Sequence, residues 1–320
     1  QVPMFHCFGM VLSMTSCMTH GATLCPMPYF SAKVSLACIN QEHITCFNGV
    51  PTMFIAMFNH PDYRKTDFSY MRTGIMAGSV CPEPLMRRVV EDMYMKDITI
   101  CYGLTEGSPV MTQSDPDDPL PLRCETVGCA MPGIEVRIGD PETCEELPRG
   151  QVGEILCRGY NVMKGYYNMP EETARTISPE GWLHSGDLGT MDENGYVRVT
   201  GRIKDMIIRG GENVYPREIE EFLMGMPGVL DIQVVAVPSR KYGEEVGAFI
   251  IARPDVPIAP EDVRAFCRGK IAWYKIPRYI AVVDGFPLTA SGKIQKFKLR
   301  EMAAERWPEA MAEPDPKAAG

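Results

Sequence analysis

The sequence predicts an α/β fold: the C-terminal part of a large doubly wound sheet-and-helix domain, then a small β-barrel-like subdomain, then a smaller α+β domain. Two changes of texture along the chain carry this reading. Up to about residue 110, short apolar runs alternate with helical stretches, the pattern of a doubly wound sheet. From Glu125 to Thr200 the runs become short, alternating and glycine-rich, and from Met206 onward strands and helices mix again.

Taken in order, the stretch before Lys33 contains no Asp, Glu, Lys or Arg. His6, Gly9, His20, Gly21, Pro26 and Pro28 interrupt it, so it reads as a buried strand–helix–strand piece and not as a membrane span. Ile44 to Val50 reads as a strand that turns at Pro51 into a helix reaching Asn59. Met71 to Ala77 is a second strand, and Pro84 to Tyr94 a helix with apolar residues at helical spacing. Asp115 to Pro121 is an exposed loop. Glu135–Ile138, Gly153–Cys157 and Tyr196–Thr200 are the short strands of the barrel-like piece. Beyond them, Pro216 opens a helix with Glu218, Glu220 and Glu221 in its early turns, where they complement the helix dipole. Val229 to Val237 is a strongly apolar strand, Pro260 to Lys270 an amphipathic helix, and the chain after Trp307 is expected to fray.

Composition narrows the function. At 320 residues the chain is long enough for more than one domain, and its net charge of -9 argues against a general nucleic-acid binder. Twelve cysteines without a Cys-x-x-Cys pair read as free, buried thiols in a reducing, cytoplasmic compartment. Neither zinc-ligand spacing nor a Ser-His-Asp set emerges, and Gly-x-Gly-x-x-Gly is absent.

The most informative run is Ile98-Thr99-Ile100-Cys101-Tyr102-Gly103-Leu104-Thr105-Glu106. It offers a ring face for a purine, a glycine for close backbone approach, a hydroxyl for phosphate and a carboxylate for Mg²⁺. Each residue also has a plain alternative: Tyr102 as a core tyrosine, Thr105 as a turn hydroxyl, Glu106 as a solvated acid. Asp187, after Ser185-Gly186, could accept from both hydroxyls of a ribose, and Arg202 could donate to the same sugar; as alternatives they are a turn former and a surface cation.

Three further signatures follow: Gly181-Trp182-Leu183-His184-Ser185-Gly186-Asp187, the run from Gly201 to Asn213, and Pro287-Leu288-Thr289-Ala290-Ser291-Gly292-Lys293. With these four ordered motifs the chain resembles the adenylate-forming superfamily of acyl-CoA synthetases, luciferases and peptide-synthetase adenylation domains. The resemblance runs from Pro3 to about Arg306 and is greatest with the medium-chain acyl-CoA synthetases.

The resemblance implies ATP, Mg²⁺ and coenzyme A as partners of a fatty acid, with no nucleic acid. It implies that residues 1–203 are part of a large adenylation domain, whose β-rich subdomain starts near 125. Residues 204–307 would be a mobile C-terminal domain and 308–320 a tail. Lys293 takes the place of the lysine that drives adenylation. Thr105 would hold the α-phosphate, and Glu106 the metal. Gly78 and Ser79 match the segment beside adenine and the acyl chain, for which a βα turn is the alternative. Lys204 matches the hinge between the two half-reactions, and Gly211 the border of the pantetheine tunnel. His6 matches a gate beside that tunnel and reads equally well as a core histidine. The family's Gly/Ser/Thr-rich phosphate loop does not occur in the sequence. The chain therefore reads as a fragment that should not catalyse the full reaction alone. Two other functions share these motifs: an adenylation domain that loads a carrier protein, and a remnant that binds AMP or acyl-AMP without making it.

Overall fold

The structure, a computed structural model, describes residues 1–79, 81–288 and 294–312. The chain divides into two compact units, Gln1–Val199 and Thr200–Gly320.

In the first unit, a π-helical stretch over Phe8–Thr15 runs into α1 (Ser16–Thr19), followed by α2 (Ala32–Glu42), α3 (Pro51–Phe58), α4 (Glu83–Asp92), α5 (Leu120–Glu125) and α6 (Pro170–Thr176). Strands β1 (Thr73–Met76) and β2 (Asp97–Tyr102) pair in parallel. Strands β3 (Thr112–Gln113) and β4 (Cys129–Ala130) continue the sheet antiparallel, in the order β1-β2-β3-β4. Leu36 and Ile39 of α2, Phe54 and Met57 of α3, and Met86 and Val89 of α4 close over Met76, Ile98 and Ile100 of the sheet as one core. Proline at the start of α3 and of α4 fits the first helical turn, where its missing N–H has no intrahelical partner.

The N-terminal stretch corrects the sequence expectation. Its helix is present over Phe8–Thr19, but the flanking strands are not, and little of it is buried beyond Val2, Phe8 and Gly9 before Ser35. Its hydroxyls supply the reason. Ser13, Thr15 and Ser16 donate to the carbonyls of Phe8, Met10 and Val11, five residues back. That local pairing sustains a π-helical turn in place of a strand. Residues 44–50 do run parallel to β1, but as isolated bridges at Cys46 and Gly49 and not as a continuous strand. The Asn48 side chain accepts the Ile75 N–H at 3.0 Å, a donor that a regular ladder would give to a main-chain carbonyl.

The β-rich piece is a four-stranded antiparallel meander of β5 (Ile134–Gly139), β6 (Gly153–Gly159), β7 (Leu183–Met191) and β8 (Val197–Arg202). It does not close as a barrel, since β5 and β8 stay at opposite edges. Ile138, Ile155, Cys157, Leu183 and Val197 pack on one face with Met111.

The second unit is a mixed sheet in the order β10-β9-β12-β11. Its strands are β9 (Ile207–Arg209), β10 (Glu212–Val214), β11 (Val229–Ser239) and β12 (Gly243–Ala252), with β13 (Tyr279–Val282) parallel to β12. Alternation along β12 separates two cores. Val246, Ala248 and Ile250 meet α7 (Pro216–Met224) and α8 (Pro260–Cys267). Phe249 meets α9 (Lys296–Arg306), Trp307 and α10 (Glu309–Ala312) on the other face. Trp307 and Ala310 are buried there, so order continues past the point where fraying was expected.

All twelve cysteines are free thiols, yet only Cys81, Cys157 and Cys267 are fully buried. Among the described residues no helix is long and apolar enough to cross a membrane.

Phe54 is fully buried, with its ring edge-on to Phe47 at 5.2 Å. Phe54→Ala should destabilise the first unit by about 3–5 kcal/mol in urea unfolding followed by circular dichroism. A loss below about 1 kcal/mol would show that this cluster is not the unit's core.

Candidate functional site

Strands β1 and β2 are parallel, and ligands of open α/β sheets bind beyond the carboxyl ends of such strands. Both ends carry candidate residues. After β1 come Gly78, with φ of +90°, and Ser79, both exposed. After β2 come Tyr102 to Glu106, with Thr105 and Glu106 in a 3₁₀ turn over Thr105–Gly107. Gly103 is required sterically, because a Cβ there would sit 1.8 Å from the Pro109 carbonyl oxygen. The chain folds back so closely that the Met111 N–H donates to the Tyr102 carbonyl at 2.9 Å.

A loop from the β-rich piece fixes the turn. The Asn161 amide donates to the Gly107 carbonyl at 2.9 Å, and the Met163 N–H donates to the Glu106 carbonyl at 2.8 Å. The Tyr166 hydroxyl donates to Glu106 Oε1 at 2.8 Å. Partial burial and the adjacent carboxylate both raise the Tyr166 pKa, which keeps the phenol protonated as a donor. On the other side, Cys7 Sγ lies 3.8 Å from Thr105 Oγ1 and 3.7 Å from His6 Nδ1. His6 Nδ1 also accepts the Phe8 N–H at 3.1 Å. His6 is thereby brought to the Thr105 turn, half-buried.

Asp187 reaches the same place along β7. The Tyr102 hydroxyl donates to Asp187 Oδ2 at 2.8 Å, across 85 residues of sequence. Behind Asp187 stands Glu154 of β6, only 3% exposed. Glu154 Oε1 accepts the Gly186 N–H at 2.8 Å, and Oε2 accepts from His184 Nδ1 at 2.7 Å. This irregular part of β7 is completed by Ser185 Oγ, which accepts the Asp187 N–H at 3.0 Å, and by Gly186 with φ of +71°. One buried acid thus orients the segment that presents Asp187.

Within the second unit, Arg202 ends β8 and precedes the 3₁₀ turn Ile203–Asp205. Lys204 is exposed, and its carbonyl accepts from Arg300 of α9 at 2.9 Å, while Arg300 pairs with Asp205 at 2.6 Å. Gly211 has φ of +95° in the β9–β10 turn, with open space where a Cβ would be. Lys293 lies outside the described residues.

The structure therefore gathers Tyr102, Thr105, Glu106, Asp187 and His6 within the first unit. Asn161, Glu154 and Tyr166 were missed by sequence reasoning. Glu154 had a signal, an acid set in the apolar run Gly153-Glu154-Ile155-Leu156; Tyr166 and Asn161 had only an aromatic-rich stretch around Gly165. Among the described residues no cluster of three His, Cys, Asp or Glu forms a metal cage. Glu106 suits Mg²⁺ all the same. That ion keeps several waters and takes one or two carboxylates plus phosphate oxygens, and Glu106 has a second oxygen besides the one Tyr166 engages.

The sequence profile of the AMP-binding enzyme family matches residues 1–167, and that of the AMP-binding enzyme C-terminal domain matches residues 218–293. The chain belongs to the AMP-binding enzyme family. It is 54% identical over 304 residues to the putative acyl-CoA synthetase YngI of Bacillus subtilis, covering 95% of this chain and 55% of that protein. Identity to the mitochondrial medium-chain acyl-CoA ligase ACSF2 of Rattus norvegicus is 45% over 300 residues, 93% of this chain and 49% of the relative. The chain spans about half the length of the curated relatives it matches. Among solved structures, ATP-bound MatB from Rhodopseudomonas palustris superposes with a TM-score of 0.87 at 33% identity, over 95% of this chain and 59% of that one. These neighbours share the adenylate-forming fold.

If Tyr102 supplies a face for adenine, its ring matters more than its hydroxyl. Tyr102→Phe should weaken AMP binding by less than about threefold, and Tyr102→Ala by about tenfold or more, in isothermal titration calorimetry. Equal losses for the two variants would assign the residue's role to the hydroxyl.

Proposed function

We propose that the protein is an ATP-dependent acyl-CoA ligase that joins a medium-chain fatty acid to AMP and then to coenzyme A. The observation that carries this reading is the convergence of Tyr102, Glu106 and Asp187 at the carboxyl edge of the parallel strands, in a chain of the AMP-binding family. Similarity to a named medium-chain acyl-CoA ligase supports the acyl class.

In this reading Tyr102 lies against adenine, Asp187 accepts from the ribose hydroxyls with Arg202 as a second contact, and Gly78 and Ser79 let the chain pass close to the nucleotide. Thr105 donates to the α-phosphate. Glu106 holds Mg²⁺, which offsets charge on the phosphates. Lys293 donates to the oxygens that gain charge as the carboxylate attacks, a contribution of the preorganised electrostatic kind. Lys204 is the pivot on which residues beyond it would turn for the thioester step, with Gly211 and His6 then lining the thiol's approach.

Pyrophosphate release by the full-length gene product across a panel of carboxylic acids tests the reading, with medium-chain fatty acids expected to turn over fastest. Lys293→Ala should lower adenylation by roughly a hundredfold while sparing thioester formation from supplied acyl-AMP. Lys204→Pro should do the reverse, because proline fixes the torsion a pivot must change. Equal effects of either variant on both half-reactions would contradict the assigned roles.

A further inference from the structure

A second constellation lies beside the segment of β7 that carries Asp187. Cys144 Sγ is 3.3 Å from His184 Nε2, and His184 Nδ1 is 2.7 Å from Glu154 Oε2. The order is thiol, imidazole, buried carboxylate. In nucleophilic enzymes a base lies within reach of the nucleophile and a third group orients the base. The carboxylate fixes the tautomer: Nδ1 carries the proton and donates to Glu154, which leaves Nε2 as an acceptor facing the thiol.

The surroundings make the thiol available. Cys144 is half-exposed, in the turn between β5 and β6. It is held in a left-handed conformation with φ of +63°, its N–H donating to the Asp140 carbonyl at 2.9 Å. Acids flank it at Glu142, Glu145 and Glu146, but the Arg137 guanidinium donates to the carbonyl of Cys144 itself at 2.7 Å. Arg137 is pinned over the Trp182 ring at 3.9 Å. Burial pushes the thiol of Cys101 up to about 12 and those of Cys124 and Cys267 up to about 11.

We propose that Cys144 is an activated thiol that forms a mixed disulfide with small-molecule disulfides. His184 Nε2 takes the Sγ proton as Sγ attacks one sulfur of the disulfide. The Cys144 Sγ–S bond forms and the reagent's S–S bond breaks. The departing thiolate takes the proton from the imidazolium, so one protein thiol and one disulfide give one mixed disulfide and one free thiol. Glu154 stabilises the imidazolium between these steps. This role stands apart from ligase activity, and its test reads thiol chemistry alone.

The test is timed labelling of the folded protein with dithiobis-nitrobenzoate, quenched and mapped by peptide mass spectrometry. Cys144 should react about tenfold faster than the half-exposed Cys17 and Cys25. His184→Gln should remove that advantage and leave Cys17 and Cys25 unchanged. A Cys144 rate no higher than theirs, or one unaffected by His184→Gln, overturns the proposal. Labelling of the buried Cys157 and Cys267 would show that the variant has unfolded; the wild-type rate ratio alone then decides.

Discussion

A buried carboxylate that must find donors for both of its oxygens organises the first unit. Glu154 of β6 is buried at 3% exposure, next in the chain to the apolar core residue Ile155, and leaving it unpaired there would cost several kcal/mol. Its partners are the Gly186 N–H and the His184 ring, both in the irregularly paired start of the neighbouring strand β7. Meeting that demand fixes the conformation of residues 184–187 and therefore the position of Asp187. Asp187 in turn receives the Tyr102 hydroxyl, which ties the meander to the carboxyl edge of the parallel strands. A local electrostatic requirement in one sheet thus sets the geometry at the end of another.

The turn after β2 is constrained from the opposite direction. Gly103 permits a chain reversal so tight that no side chain fits, and the reversal leaves Thr105 and Glu106 projecting from a short 3₁₀ turn. Such a turn has too few internal hydrogen bonds to hold itself, so contacts from Asn161, Met163 and Tyr166 stabilise it. Two pieces of very different texture, a parallel sheet edge and an antiparallel meander, become one site because each completes the polar valences of the other. The second unit follows a different logic, with one sheet covered by helices on both faces.

Much of this was legible in the sequence where pattern and physics act locally. The helix at Pro51, the apolar strand from Val229 and the β2 run announced themselves by proline placement and β-branched residues. What could not be read was set by side-chain competition. Asn48 takes a main-chain donor and interrupts a strand, and Ser13, Thr15 and Ser16 convert an apolar stretch into a π-helical turn. Barrel closure was unreadable too, since it depends on whether β5 and β8 meet, and short alternating strands serve open and closed sheets alike. The site residues were legible as types in ordered motifs. Their supports, Glu154, Asn161 and Tyr166, were not, because each acts on a partner at least 30 residues away.

Asp187, which receives the Tyr102 hydroxyl and follows the segment held by Glu154, is the residue we propose as the acceptor for a nucleotide's ribose. Calorimetric binding of AMP and of its dideoxy analogue, which lacks both ribose hydroxyls, tests this most directly in the wild-type protein and in Asp187→Ala. Hydrogen bonds to a charged acceptor contribute about 1.5–3 kcal/mol, so the wild type should prefer AMP by about tenfold or more. Asp187→Ala should lose most of that preference, keeping only what Arg202 contributes. An undiminished preference for AMP after the substitution, or no preference in the wild type, would contradict this role for Asp187.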